Sequence, residues 1–379
     1  MLTMKKLLLL IPVLLLFGYL IWSNLDRQEL DLPTDAQFRD YQTIGIDSGR
    51  GNLIGIQPFM VTADYSSEKA FYKKMDGYFA QLKQRHWLNS KSIVVLPEYL
   101  GTWLVTVNEK HSVYTSPSSA KALQTMALSN LGSYASAYLS VPDSVKVHPR
   151  YAIFKMKAEI MAKIYGNVFK KIASTYQVHI VAGSILLPNP KVENNEIIPQ
   201  DGLMYNVSAV FRPNGTIAID LVKKSFPIAE EQAFLAASPI QNLPSFDTPA
   251  GKLGVLICAD SWFQEGYQVL MQKGVKILAV PSFCSINFGW QIPWTGYSGW
   301  PTPVQAKADI GILTEGQAWL KYAMVGKAFT VGNMQAGMNV FLKGQLWDFG
   351  FDGRTTSTLG TKSYTDNQSL SSTATCLWL

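Results

Sequence analysis

Hydrophobic and polar positions along the chain predict both helices and strands. Apolar residues recur at helical spacing in Ser66–Trp87 behind a serine cap, and a longer helical region runs from about Ser118 to Tyr176, interrupted near Pro142 and Pro149. Short β-branched runs such as "KSIVVL" and "VHIVAGSILL" predict strands. The two kinds of element alternate, but hairpin-like strand pairs recur in each half. This arrangement indicates stacked sheets with helices outside them rather than a single doubly wound sheet.

The N-terminal segment has a pattern of its own. Lys5 and Lys6 are followed by a run without charge from Leu7 to Leu25, which is 19 residues long. This length reaches the lower limit of a bilayer crossing, and the run ends without the small-residue site of a cleaved signal peptide. We therefore predict an uncleaved signal anchor, a transmembrane helix at residues 1–25, with the rest of the chain extracytoplasmic, which means periplasmic in a bacterium.

The remaining chain divides by composition into three parts. Residues 26–49 are polar, contain Pro33 and predict a linker. Residues 50–360 contain the alternating helices and strands and predict one large domain. Residues 361–379 form a tail rich in serine and threonine. The tail pattern leaves two alternatives open, an edge strand or a loosely ordered arm.

Charge and cysteine content exclude several classes of protein. The formal net charge of the 379 residues is +6, but the lysines are scattered and no nucleic-acid-binding signature occurs. We therefore expect no nucleic-acid partner. The three cysteines are an odd number, so a disulfide framework is excluded and at least one thiol stays free.

Three predicted strands end in a residue with reactive chemistry. Glu98 follows "IVVLP", Lys223 follows "TIAIDLV", and Cys258 follows "GVLI". Each residue alone is common at a strand end, as a solvated loop charge or as a buried thiol. Together they supply a nucleophile, an ammonium that stabilises its thiolate, and a carboxylate that accepts its proton.

The residues after Cys258 suggest supporting roles. The backbone N–H of Ala259 is a candidate donor to an oxyanion, and Asp260 is expected to hold the turn by accepting backbone N–H groups. Ser261 is expected to cap the following helix. A cysteine–histidine site is disfavoured because none of the four histidines has a recognisable partner, and a serine nucleophile is disfavoured because no G-x-S-x-G occurs.

Three segments carry a resemblance to a known family. They are "VVLPEYLGTW", "YNVSAVFRPNGTIAIDLVKKSFPIAEE" and "GVLICADSWFQEGYQVLMQKGVKILAVPSF". In this order they resemble the glutamate, lysine and cysteine segments of the nitrilase, or carbon–nitrogen hydrolase, superfamily. The resemblance implies an α/β fold, a four-layer α-β-β-α sandwich that assembles into dimers or larger homo-oligomers. It implies catalytic roles for Glu98, Lys223 and Cys258, with Lys224 as a neighbour and with Glu231, or else Glu230, orienting the lysine.

The resemblance also implies an activity. We expect cofactor-free and metal-free hydrolysis of an amide bond through a Cys258 thioester, in a small-molecule or lipid-like substrate, by an enzyme anchored to a membrane through its N-terminal helix. The motif "CADSW" lacks the Cys-Trp-Glu of true nitrile hydrolases, which favours amides. Two alternatives stay open: acyl transfer, as in the apolipoprotein N-acyltransferases that this combination resembles, and a catalytically inactive binding module. The roles of Cys284 and of the aromatic loop at residues 290–303 are left open.

Overall fold

The secondary structure of the chain is seen in a computed structural model, which describes residues 4–27, 35–367 and 371–379. The helices are α1 (Met4–Asn24), α2 (Glu68–Gln84), α3 (His111–Tyr114), α4 (Ser119–Ser129), α5 (Leu131–Leu139), α6 (His148–Tyr176), α7 (Gln264–Gln272), α8 (Glu315–Tyr322) and α9 (Met324–Lys327). The strands are β1 (Asp40–Ile44), β2 (Asn52–Gln57), β3 (Phe59–Val61), β4 (Ser92–Val95), β5 (His179–Val181), β6 (Ile185–Pro188), β7 (Lys191–Glu193), β8 (Glu196–Ile198), β9 (Met204–Ser208), β10 (Val210–Phe211), β11 (Val222–Lys223), β12 (Ser245–Thr248), β13 (Gly251–Val255), β14 (Ile277–Ser282), β15 (Ala336–Phe341), β16 (Lys343–Gln345), β17 (Thr356–Leu359), β18 (Lys362–Thr365) and β19 (Thr373–Trp378).

Most of these strands belong to two six-stranded sheets. The first sheet has the order β1-β19-β2-β4-β5-β10, and the second has the order β12-β13-β14-β15-β17-β18. A three-stranded sheet, β11-β9-β6, lies beside them and carries one of the lysines singled out above. Strands β2, β4 and β5 are parallel, as are β13, β14 and β15, so the residues that follow them emerge at common sheet edges.

The two large sheets pack face to face with helices outside. Successive residues of a strand point to opposite faces, so Leu53 belongs to the core shared with the second sheet while Ile54 belongs to the core under α2 and α6. Strand β15 packs directly on β2, and a Cβ at Gly55 would collide with Met338 of β15. Because α7 and α8 cover the other side of the second sheet, the layers follow the predicted α-β-β-α order.

The long helices agree with the predicted pattern. Helix α2 begins after Ser67, whose hydroxyl accepts the N–H of Ala70 at 3.1 Å. Helix α6 begins at His148 with Pro149 in its first turn, where the missing N–H costs nothing. Ser261, in contrast, caps no helix. Helix α7 begins only at Gln264, and the Ser261 hydroxyl donates to the carbonyl of Cys258 at 2.7 Å.

The predicted transmembrane helix at residues 1–25 is not supported. Helix α1 occupies Met4–Asn24, but among the described residues no helix combines the length and the apolar character that a membrane crossing requires. The end of α1 contacts the domain, because the Lys110 ammonium donates to the carbonyls of Trp22 and Leu25, at 2.5 Å each.

The predicted linker and tail both contribute strands to the first sheet. Strand β1, from within residues 26–49, pairs in parallel with β19, and β19 lies between β1 and β2 with every side chain buried. Of the described tail residues, β18 is the edge strand of the second sheet, whereas β19 is an interior strand of the first. Residues 1–3, 28–34 and 368–370, which belong to the predicted anchor, linker (with Pro33) and tail, lie outside the described residues.

Candidate active site

Glu98 is positioned by the tight turns that follow β4. The N–H of Leu96 donates to the Val181 carbonyl at 3.0 Å, which extends the pairing of β4 with β5 by one residue. The chain then turns at Tyr99, whose φ is +62° and whose N–H donates to the Ser184 hydroxyl at 2.8 Å. These bonds hold Glu98 at the carboxyl edge of the parallel strands, where it is 1% exposed.

The lysine beside Glu98 is Lys224, and the expectation for Lys223 is corrected. The Nζ of Lys224 lies 2.8 Å from Oε1 of Glu98 and 2.8 Å from Oε2 of Glu231, and its side chain is 1% exposed. Strand β11 pairs antiparallel with β9 so that Lys223 is opposite Val207, and the N–H of Lys224 donates to the Asn206 carbonyl at 2.9 Å. Since neighbouring residues of a strand point to opposite faces, Lys224 faces the carboxylates and Lys223 faces away from them.

Cys258 lies in a tight turn at the end of β13. The N–H of Leu256 donates to the Ala279 carbonyl at 3.1 Å, which leads the chain to the same sheet edge as Glu98. Cys258 then adopts a φ of +50°, in the left-handed region that costs a non-glycine residue about 1 kcal/mol. A single 3₁₀ turn, Cys258–Trp262, follows. Strain of this kind in a buried turn is frequent at functional sites.

The cysteine, the lysine and the two glutamates form one buried cluster. The Cys258 thiol donates to the Phe283 carbonyl oxygen at 3.8 Å, and Cys258 interacts electrostatically with Glu98, Lys224 and Glu231. Cys258 is 6% exposed and Glu231 is 4% exposed. The expected glutamate and cysteine therefore lie together, with Lys224 in place of Lys223.

Burial and mutual charge set the protonation of this cluster. Burial raises the pKa of Cys258 well above its ordinary value, and the negative charge of Glu98 adds to the effect, so the thiol is protonated at rest. Burial likewise raises the pKa of Glu98, against the opposing charge of Lys224. Burial alone would lower the pKa of Lys224, but Glu231 and Glu98 raise it well above its ordinary value. The lysine is therefore a permanent cation between two carboxylates.

Glu231, rather than Glu230, holds the lysine. Its Oε2 accepts the N–H of Ile228 at 2.8 Å, which closes a short turn and points the carboxylate at Lys224. Its other oxygen accepts the Tyr99 hydroxyl. Glu230 is exposed on the outside of the same turn.

Asp260 connects the lysine segment to the cysteine segment. Its Oδ1 accepts the N–H groups of Ser225 at 2.9 Å and Phe226 at 2.7 Å, and its Oδ2 accepts that of Ile257 at 3.2 Å. Burial raises the pKa of Asp260 to about 7, although Lys224 and these N–H groups act to lower it. The contacts are those of a residue that holds the turn. Ala259 follows Cys258 in the 3₁₀ turn and is buried.

Two residues of the cluster were not foreseen from the sequence. The Asn206 amide donates to Oε1 of Glu98 at 2.9 Å and reaches Oε1 of Glu231 at 3.4 Å. Tyr99 donates its hydroxyl to Glu231. Asn206 lies opposite Lys224 in the paired strands, so the two side chains share one face of the sheet. Knowledge of the register in which β9 pairs with β11 would therefore have identified Asn206. The sequence carries no comparable signal for Tyr99.

The aromatic loop at residues 290–303 packs against the segments that follow the lysine and the cysteine. Phe226 and Phe263 stack with ring centroids 3.7 Å apart, and Trp300 meets Phe226 edge-on at 5.1 Å. The Trp300 indole N–H donates to the Pro227 carbonyl at 2.7 Å. Trp294 from the same loop is 1% exposed. The loop is therefore packed on the protein beside the buried cluster.

Cys284 is adjacent to the cluster but is not part of it. It follows Phe283 and forms an isolated antiparallel β-bridge, through the backbone, with Asp352. Burial raises the pKa of its thiol to about 11. Within residues 4–27, 35–367 and 371–379, no three His, Cys, Asp or Glu side chains are grouped so that they could hold a metal ion.

Comparison with known proteins identifies the family of the chain. The sequence profile of the carbon-nitrogen hydrolases matches residues 65–308, which is more than half of the chain and includes Glu98, Lys224 and Cys258. The chain belongs to the carbon-nitrogen hydrolase family. An amidase mutant from Nesterenkonia, of the nitrilase superfamily, superposes on this hydrolase with a TM-score of 0.53 and 12% identity, covering 87% of this chain and 92% of that one. Its likeness shows the nitrilase-type fold.

Two relatives by sequence are more similar over shorter stretches. The probable hydrolase YhcX of Bacillus subtilis is 30% identical over 121 residues, which are 32% of this chain and 21% of the relative. The omega-amidase NIT2 of Homo sapiens is 28% identical over 162 residues, which are 40% of this chain and 52% of the relative. The matched part thus spans about half or less of each relative.

Proposed function

We propose that this hydrolase cleaves the carbon–nitrogen bond of a linear amide through a thioester on Cys258. The observation that carries the proposal is the buried cluster in which Lys224 lies between Glu98 and Glu231, with the Cys258 thiol beside them. A protonated nucleophile, an adjacent carboxylate and a permanent cation are the groups that acyl transfer to a thiol requires. The amidases among the similar proteins support the choice of an amide substrate.

The first half of the reaction forms the thioester. Glu98 takes the thiol proton as Sγ of Cys258 attacks the carbonyl carbon, and the carbonyl oxygen becomes an oxyanion. The Lys224 ammonium and the N–H of Ala259 stabilise that oxyanion in a site from which water is excluded. Glu98 then gives its proton to the nitrogen, the carbon–nitrogen bond breaks, and the amine or ammonia leaves.

The second half releases the acid. A water molecule replaces the amine, Glu98 takes one of its protons, and the resulting hydroxide attacks the thioester carbon. The carbon–sulfur bond breaks, and Glu98 returns the proton taken from water to the departing thiolate. Glu231, with Tyr99 and Asn206, keeps Lys224 and Glu98 in position through both halves.

The test is amine release from a panel of short-chain and long-chain amides by the purified chain. Cys258→Ala should abolish turnover, whereas Cys284→Ala, which removes a neighbouring thiol that is not in the cluster, should keep it. Glu98→Gln removes the base of both halves and should also abolish most of the turnover, and the mass of the acyl group trapped on Cys258 of the wild type during turnover identifies the acid.

Two outcomes would overturn the proposal. Turnover that survives in Cys258→Ala would exclude the thioester. Turnover that appears only when a second amine is supplied as acceptor would indicate acyl transfer instead of hydrolysis.

A further inference from the structure

The face of the β9–β11 hairpin that points away from the cluster lines a cavity of about 250 Å³. Tyr205 and Lys223 contribute to its wall, and each is the chain neighbour of a cluster residue, Asn206 and Lys224 respectively. Because the side chains alternate, the two faces of one hairpin carry two separate sets of polar groups. The cavity is thus a second site that the proposed reaction does not use.

Lys223 brings a positive charge to this cavity. It is half-buried, its Nζ lies 4.5 Å from the centre of the Tyr205 ring, and burial lowers its pKa. Throughout the described part of the chain, no carboxylate lies within ion-pair distance of it. A ring face compensates a partly desolvated ammonium only in part, so an anion placed in the cavity gains a charge-assisted bond.

The remaining wall suits a small carboxylate. Ser238 and Asn242 supply a hydroxyl and an amide, and Leu221 and Leu243 supply apolar surface. A volume of 250 Å³ corresponds to about eight water molecules, which is too small for a nucleotide and sufficient for an acid of a few carbon atoms. The ammonium repels metal cations, and an uncharged ligand would leave it desolvated without a partner.

We propose that the cavity formed by Tyr205, Lys223, Ser238 and Asn242 binds a small organic carboxylate, with the carboxylate on the Lys223 ammonium and the carbon chain against Leu221 and Leu243. Ser238 also donates its backbone N–H to the Lys224 carbonyl at 3.0 Å. The bound acid therefore lies one peptide unit from the cluster, on the opposite side of the strand. The inference rests on the geometry of the hairpin and is independent of the reaction proposed above.

The test is calorimetric titration of the full chain at neutral pH and low salt with sodium propionate, sodium succinate and inorganic phosphate. Lys223→Met, which removes the charge at nearly constant length, should weaken carboxylate binding by about tenfold or more. Lys252→Met is the matched control, because it removes the same charge from strand β13, where Lys252 is partly exposed, and it should bind as the wild type does. Ser238→Ala should weaken binding by roughly threefold.

A second readout covers the case in which Lys223→Met does not fold. In the wild type, propionate should protect Lys223 from an amine-directed acylating reagent, as measured by peptide mass, and should leave Lys252 unprotected. Equal loss of binding in the two lysine variants, no carboxylate binding by the wild type, or binding of phosphate alone would each overturn the assignment.

Discussion

Lys224→Met tests whether one cation holds the cluster together. At 2.8 Å, each of the two contacts of the Lys224 ammonium with a carboxylate contributes about 6 kcal/mol of Coulomb attraction at an effective dielectric constant near 20. Desolvation of the three charges offsets most of this gain. Removing one partner of a buried ion pair nevertheless costs roughly 3–5 kcal/mol, because the remaining charges keep their desolvation penalty without their partner. We expect the free energy of unfolding at pH 8 to fall by that amount.

The stability of Lys224→Met should depend on pH in a definite direction. Without Lys224, burial and the charge of Glu231 raise the pKa of Glu98 further above that of the unfolded chain. The folded variant then binds more protons than the unfolded one, so its stability decreases as the pH rises through this window. Urea unfolding at pH 5.5 and pH 8, compared with the wild type at each pH, should therefore show the larger loss at pH 8.

The neighbouring lysine is the matched control for activity. Loss of an oxyanion donor costs about 100-fold or more in turnover, so the loss in Lys224→Met should exceed that in Lys223→Met by about that factor in the amine-release assay. Adding Glu231→Gln to Lys224→Met removes one of the two unpaired carboxylates, and this should restore part of the stability and none of the turnover. Equal losses in the two lysine variants, or an undiminished stability of Lys224→Met at pH 8, would refute the reasoning.

Three further variants test the parts that position the cluster. Asn206→Leu removes a donor to the ionised form of Glu98, so its pKa rises and the acid limb of the kcat/KM profile should move up by about 1 pH unit; a lower rate with an unmoved limb would contradict this role. Gly183 has a φ of +69°, and the Cβ of Gly183→Ala would collide with the backbone carbonyl just before Glu98, so this variant should lower the free energy of unfolding in urea by more than about 2 kcal/mol. The control Gly274→Ala, at a φ of +76° in open space, should lower it by only about 1 kcal/mol. Asp260→Asn keeps one acceptor oxygen but places an amide NH2 where the other oxygen accepts backbone N–H, so at least one buried N–H loses its acceptor. The free energy of unfolding should fall by roughly 2–4 kcal/mol, and an unchanged melting temperature would count against this role.

The sequence predicted the ends of the parallel strands well. Glu98 and Cys258 follow short apolar runs, and strands of this kind bring their carboxyl ends to one edge of a sheet. The lysine beside the carboxylates was assigned wrongly because its strand is only two residues long, Val222–Lys223. The expected strand before it is reduced to an isolated β-bridge of Ile217 with Phe211, followed by a bend at residues 219–220. A local pattern could not assign the faces of so short a strand, whereas its pairing with β9 does.

The C-terminal strand shows a second limit of local patterns. Its first four residues, "TATC", are small or polar and follow a stretch rich in serine and threonine, and such a composition is compatible with a solvated edge. In the fold the strand lies between β1 and β2, where Thr373 donates its hydroxyl to the Gln57 side chain at 3.1 Å. That contact joins positions 316 residues apart, and no window of the sequence contains both partners.

Asp260 determines which of two adjacent lysines contacts the carboxylates. A slip of β11 by one residue would exchange Lys223 and Lys224 between the carboxylates and the cavity. Such a slip moves the chain by about 3.3 Å, and it would take the N–H groups of Ser225 and Phe226 away from Oδ1 of Asp260. The other oxygen of Asp260 is bonded to Ile257, directly before Cys258. The carboxylate therefore ties the register of the lysine strand to the position of the nucleophile, so the residue that makes Lys224 the lysine of the cluster also places Lys223 at the cavity.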